Sequence, residues 1–299
     1  MLDVTLLGCG ATQPLPDRAL AAMALRAGPD VLLLDCGEGT QVAMRRCHVS
    51  PVRVHSILLT HYHGDHVFGL PGLLQTMGNL GRSTPLHLYG PPGLAALWQA
   101  VHALAAPLSF AVQPHELPPE GDTFAAGALR VTAFPLCHRV PCLGYACTLP
   151  RAGKFDPARA RAAGIPVHCW AALQAGQCVG PYTPDQVLGP ARRGLTVVYA
   201  TDTAPCERLC AAAADADLLV MDATYADDAD ADKAALYGHA TCAQAGALAA
   251  RAGVRRLWLT HYSAAMQDPA AGLTAARRHF AVTQAGYDGL TLTLGFDRD

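Results

Sequence analysis

The chain has 299 residues, 51% of them hydrophobic, with a formal net charge of -2 at pH 7. That apolar share is enough for a large core, and the charge excludes a global basic field that would draw in nucleic acid, so any such site has to be a local patch. No uninterrupted apolar run reaches the ~18 residues of a membrane span, and the 11 cysteines, with no CxxC pair, read as small buried residues of a reduced, cytoplasmic protein.

The opening MLDVTLLGCG is strand-like and lacks the basic and apolar regions of a signal peptide. Short apolar runs then recur, and several end on a polar residue. VLLLD ends at Asp35, SILLTH at His61, LTVVYATD at Asp202, DLLVMD at Asp222 and RLWLTH at His261. Such runs, bounded by Gly, Pro or Asp, predict buried strands. Alanine-rich stretches near 92–105, 204–214, 240–252 and 268–280 predict helices. The order, strands followed by mixed strands and helices, twice over, predicts a layered α/β fold in one domain over 1–299. Residues 150–195, rich in Gly, Pro and Arg, predict an arm-like excursion from that domain. LLTHY at 58–62 and WLTHY at 258–262 share four residues of five. Their likeness suggests a duplication that brings both strand ends to one edge of a sandwich, with His261 near His61.

The densest polar cluster is HYHGDH at 61–66. Imidazole and carboxylate are the ligands zinc takes in hydrolytic sites. In extended backbone His61 and His63 point the same way. A tight turn at Gly64 then lets Asp65 and His66 face back from the other side. One loop can thus serve two ions, but four ligands do not fill two sites. His138 in PLCHRVP, His261 and Asp202 in YATDT are the candidate partners, Asp202 as a bridge between ions ~3.5–4 Å apart. Asp35 beside its Gly-rich turn reads as structural support for a ligand.

HxHxDH resembles the signature of the metallo-β-lactamase fold, a four-layer αββα sandwich with metals at one edge. The ordered set LGCGATQPLPDRA, LLLDCGEGTQVAM, THYHGDHVFGLPGLL, LYGPPGL, HRVPCLGY, YATDT, DATY, GHATCAQA and LTHYSA resembles one branch of it, the ribonuclease Z family of tRNA 3′-processing endonucleases. The resemblance implies two zinc ions per subunit, one on His61, His63 and His138, the other on Asp65, His66 and His261, bridged by Asp202. Manganese and iron also suit mixed His/carboxylate ligands. It implies a metal-bound water as nucleophile, oriented or deprotonated by Asp65, and a His239 that stabilises the transition state or protonates the leaving oxygen, oriented by Asp222, where the family more often has Glu. It further implies a homodimer in which one subunit's arm, here the 150–195 excursion, clamps the tRNA precursor cut by the other. Two features depart from the pattern. The arm's tip reads VHCWAALQAGQCV and is short of lysine, although Arg151, Lys154, Arg159, Arg161, Arg192 and Arg193 remain, and Ala265 stands where the family often has Arg. The alternative is therefore a hydrolase of the same fold acting on a small phosphodiester, sulfate ester or lactone.

Overall fold

The apolar runs form strands and the alanine-rich stretches form helices in the computed structural model, which describes residues 1–297. In chain order the strands are β1 (Leu2–Gly8), β2 (Ala22–Ala27), β3 (Asp30–Leu34), β4 (Val54–Leu58), β5 (Leu86–Gly90), β6 (Val112–Glu116), β7 (Thr123–Ala126), β8 (Leu129–Pro135), β9 (Leu143–Arg151), β10 (Arg192–Ala200), β11 (Leu218–Asp222), β12 (Leu257–Thr260), β13 (Thr283–Ala285) and β14 (Thr291–Leu294). They make two seven-stranded sheets, ordered β14-β1-β2-β3-β4-β5-β6 and β13-β12-β11-β10-β9-β8-β7. Each sheet is antiparallel in one half and parallel in the other. Strands β3 to β6 and β10 to β13 are the parallel halves.

Parallel neighbours need crossovers, and helices supply them. In the first sheet these are α1 (Thr40–Arg46), α2 (Gly64–Val67), α3 (Leu70–Asn79) and α4 (Leu94–Ala105). Two short helices, α5 (Pro157–Ala162) and α6 (Val167–Gln174), lie in the excursion. In the second sheet α7 (Glu207–Ala212), α8 (Ala231–Tyr237), α9 (Cys242–Ala252) and α10 (Leu273–His279) connect the parallel strands. The GHATCAQA stretch explains the start of α9. Thr241 caps it and Gln244 reaches back, a reciprocal box that satisfies two orphan backbone donors.

Side chains alternate between two cores, as period-2 strands require. Leu2, Val4, Leu6, Met23, Leu25, Leu32 and Leu34 face the second sheet, where they meet Val131, Tyr145, Cys147, Val197 and Tyr199. Leu7, Ala22, Ala24, Val31 and Leu33 face the other way, onto Met44 of α1 and Leu70, Leu73, Leu74 and Met77 of α3. Helix α9 covers the second sheet with Ala245, Leu248 and Ala249. The layers are thus helix, sheet, sheet, helix, the αββα sandwich that the motifs imply.

The LTHY echo does not mark equivalent places. Counted from the parallel edges, β4 is third in its sheet and β12 second in its own. The topological counterpart of β4 is β11, which ends at Asp222. The shared residues reflect a shared local job, a histidine delivered past a strand end, and not a duplicated position.

The excursion leaves from one hairpin. β9 and β10 pair antiparallel with Arg151 opposite Arg192. At the root, Gly189 N–H donates to Lys154 O over 2.9 Å. A Cβ at Gly153 would strike the Gly189 carbonyl, so the two chains can approach there only because that residue is glycine. Within the excursion, Asp156 accepts from the amides of Ala158 and Arg159 and starts α5, with Pro157 at its first position. Ala160, Ile165, Cys169, Leu173 and Val187 form a small apolar cluster of their own.

Candidate metal centre and active site

The polar strand ends converge at the carboxyl ends of the parallel strands, where open α/β sheets hold ligands. β3 delivers Asp35, β4 delivers His61, β10 delivers Asp202, β11 delivers Asp222 and β12 delivers His261. His138 comes from the connection between β8 and β9. Backbone strain gathers here. Thr12, Asp35, Asp202 and His261 all have left-handed φ, between 55° and 61°. Each costs on the order of 1 kcal/mol, and packing from the two sheets holds them.

The tight turn expected at Gly64 is one helical turn, α2. The exposed Phe68 ring packs over Gly64, in the space a Cβ would take. The outcome is two-sided. His61 Nε2 and His63 Nδ1 meet at 2.8 Å. His66 Nε2 instead faces His261 Nε2 at 3.2 Å. Asp202 sits between the two groups. Its Oδ1 is 2.9 Å from His261 Nε2 and 3.0 Å from His66 Nε2. Its Oδ2 is 3.6 Å from His61 Nε2 and 3.8 Å from His138 Nε2. Asp65 Oδ2 lies 3.5 Å from His261 Nε2 and 3.6 Å from His66 Nε2. The sequence-predicted residues thus fall into two sets, His61, His63, His138 and Asp202, and Asp65, His66 and His261, each with donor atoms within 4.8 Å of one another.

The far side of four of the five rings is anchored, which orients the near nitrogen. His66 Nδ1 is 2.8 Å from Asp35 Oδ2. His61 Nδ1 is 3.0 Å from Thr60 Oγ1, whose hydroxyl in turn reaches Asp35. His261 Nδ1 is 3.2 Å from Thr224 Oγ1. His138 Nδ1–H donates to Gly238 O at 3.0 Å, leaving Nε2 as the acceptor. Asp35 is therefore the support that the sequence suggested. Thr60, Thr224 and Thr12, whose N–H donates to Asp65 Oδ2 at 2.7 Å, escaped the sequence reading. Thr60 left a signal, as the residue before histidine in both LTHY copies.

The donor set fits metal ions. Ligand atoms on a tetrahedral zinc, with bonds of about 2.1 Å, lie about 3.4 Å apart. The separations around Asp202 scatter about that value. His138 Nε2 is buried with no hydrogen-bond partner, and Asp202 Oδ1, although close to His66 and His261 Nε2, makes no hydrogen bond of good geometry to either. Such orphaned groups are costly unless a cation takes them up. The titration behaviour points the same way. Burial works against charge on His261, but Asp202 and Asp65 beside it draw its pKa up to about 10. Burial also opposes His66, and Asp202 and Asp35 outweigh it, holding it well above the ordinary range. His61, by contrast, is pushed well below by burial and by His66. The buried carboxylates draw positive charge to this point, whether from a bound ion or from the His66 and His261 rings themselves.

A cleft of about 480 Å³ opens over these atoms. His239 enters it with Nδ1 2.7 Å from Asp222 Oδ2, so the shorter aspartate reaches the histidine. Asp222 is fully buried and also accepts from Thr203 and Thr224 amides. Arg139, Tyr225, Lys233 and Tyr237 line the mouth, and the sequence reading had assigned none of them. A cleft of about 650 Å³ near Asp3, Arg26 and Cys47 is larger, but it brings together no comparable set of ligand groups.

Residues 30–262 match the model of the beta-lactamase superfamily domain. The chain is 40% identical over 303 residues to a ribonuclease Z of Agathobacter rectalis, covering all of both chains. It is 41% identical over 301 residues to a ribonuclease Z of Lachnospira eligens, covering 99% of each. The crystal structure of human tRNase Z, short form, is similar at 27% identity and a TM-score of 0.72, over 98% of this chain and 100% of that one.

Proposed function

The chain belongs to the ribonuclease Z family of the metallo-β-lactamase fold, and from that premise we propose that it is a metal-dependent endoribonuclease that removes 3′ trailers from tRNA precursors. The observation that carries the reading is the double set of inward-facing donors around Asp202, with two buried polar atoms left without a hydrogen bond of good geometry. His61, His63 and His138 would hold one ion, zinc by preference, Asp65, His66 and His261 would hold a second, and Asp202 would serve both. When bound, the ions supply Lewis acidity and bring the pKa of water towards neutral.

The protein's own residues do the rest. Asp65, held by the Thr12 amide, orients the attacking water and takes up its proton. Its carboxyl lies below the ordinary range: burial raises it, but His261 and His66 outweigh burial. Asp222 fixes the His239 ring by Nδ1, which turns Nε2 to the cleft to protonate the leaving oxygen. The 150–195 arm serves as the RNA clamp, and the active form is a cytoplasmic homodimer in which arm and site come from different subunits. No described helix is long and apolar enough to cross a membrane.

The small-substrate alternative needs an arm folded over the site. The residues that line the cleft come from 11–12, 63–65, 138–139, 202, 224–239 and 261–263, with none from the arm among the described residues. An open cleft favours a polymer. The experiment is cleavage of a tRNA precursor by the zinc-loaded protein beside bis(p-nitrophenyl) phosphate. Cutting after the discriminator base is the expected result. Hydrolysis of the ester alone would move the protein to the small-substrate hydrolases.

A further inference from the structure

The residues assigned above account for the metals, the water and the leaving group. They leave the outer rim of the cleft unused. On that rim two cations lie over two tyrosines. The Arg139 guanidinium is 5.0 Å from the Tyr237 ring centre, and the Lys233 ammonium is 5.1 Å from that of Tyr225. All four residues line the cleft that holds His63, His138 and His239.

The placement follows from the chain. Arg139 comes directly after His138, so the backbone that sets the ligand also sets the guanidinium at the rim. Lys233 and Tyr237 are four apart on α8 and therefore share one helix face. The helix ends at Gly238 in a left-handed conformation, and His239 follows at once. A Cβ at Gly238 would come within 2.9 Å of His138 Nδ1, so the rim helix and the ligand loop are locked together at this glycine.

Exposed lysine and arginine side chains usually sample many rotamers or pair with a carboxylate. Among the described residues neither of these is in an ion pair, and each is held against a ring instead. A cation over an aromatic face keeps its outward N–H donors free. Two such pairs beside a phosphodiester site form the combination by which single-stranded nucleic acid is gripped, charge for the backbone and a π-face for the base.

We infer that Arg139 and Lys233, each laid over a tyrosine, are positioning residues that hold the RNA phosphates next to the scissile one as the single-stranded 3′ end crosses the rim. The inference rests on the RNA-cleaving reading above. The side chains touch flanking phosphates and not the reacting atoms. Their effect therefore falls mainly on KM and on its salt dependence.

The test uses the zinc-loaded full chain, with Arg139→Ala, Lys233→Ala and Arg139→Lys. KM and kcat are measured on a tRNA precursor over a range of salt, alongside bis(p-nitrophenyl) phosphate and metal content. Each alanine variant should raise the precursor KM roughly tenfold, more than it lowers kcat. The slope of log KM against log salt should fall by roughly 0.7 per charge removed. Arg139→Lys should keep that slope, and the precursor-to-ester ratio of kcat/KM should fall in the alanine variants. Variants that keep the wild-type KM and slope while the wild type cuts the precursor would overturn this inference alone. So would an equal loss on both substrates accompanied by loss of metal. Failure of the wild type to cut the precursor would overturn the reading beneath it, and that is seen before any variant is made.

Discussion

The metal centre and the arm are built in opposite ways. Ligands in the centre arrive from β4, β10 and β12 and from the loops after β4 and β8, so strands from both seven-stranded sheets must be in place to form it. Its side chains are mostly buried, and the far atoms of the His61, His66, His138 and His261 rings are tied to a threonine, an aspartate or a carbonyl. The arm hangs from one hairpin, closes on itself at Gly153 and Gly189, and packs around five buried residues. Long-range contacts thus hold the chemistry and short-range contacts hold the arm. A module held locally can change its sequence without disturbing the centre, which is why an altered tip coexists with a complete ligand set.

The arm's cations sharpen the contrast. The sequence offered six of them for RNA. Arg159 donates to the carbonyls of Leu188 and Asp185, and Arg193 to Asp217 and the Asp215 carbonyl. Arg161 lies over the Trp170 ring, and Arg192 donates to Ala152 O. Arg159 and Arg192 therefore spend donors on the arm and its root and Arg193 on the segment before β11, so fewer charges are left for phosphate than the composition suggested.

The strongest way to break the comparison is His63→Ala. Loss of one ligand from a set with no spare donor should remove metal from one site and lower kcat/KM on both substrates by on the order of a thousandfold. Metal analysis with steady-state rates checks this, and retained full activity would remove His63 from the ligand set. Next comes replacement of 152–191 by a short Gly-Ser linker between Arg151 and Arg192. Because those residues are already strand partners, the sheet should survive. Precursor cleavage should fall on the order of a hundredfold as the phosphate contacts go, with ester hydrolysis persisting. If precursor cleavage survives as well, the arm is not the clamp. The smallest effect is expected from Leu173→Ala in the arm's own cluster. The loss of about 2–5 kcal/mol of local stability should speed hydrogen exchange in the arm and leave β10 and β12 protected. Equal acceleration in those strands would show that arm and centre unfold as one unit.

Much of the centre was legible in the sequence because buried strands and metal ligands both leave local marks. An apolar run that stops at Asp or His announces a strand end with chemistry on it, and HYHGDH packs four donors into six residues. Asp35 was legible as support for the same reason. Other features were not. The helical form of the turn at Gly64, under the Phe68 ring, is not stated by the motif. Thr224 and Thr12 lie in the DATY and LGCGATQPLPDRA stretches, but their hydrogen bonds to His261 and Asp65 are with residues distant in the chain, which residue type alone does not announce. The LTHY echo misled because strand order is a property of crossovers, not of the run that forms a strand.

The sequence by itself determined the element types, the candidate site residues and, by resemblance, the family. These depend on local periodicity and on residue type. Only the tertiary structure decided which donors share a set, that Asp202 turns one oxygen to each, that the arm's arginines are partly self-satisfied, and that Arg139 and Lys233 rest on tyrosines at the rim. Those are distances between residues far apart in the chain, and they exist only once both sheets have packed.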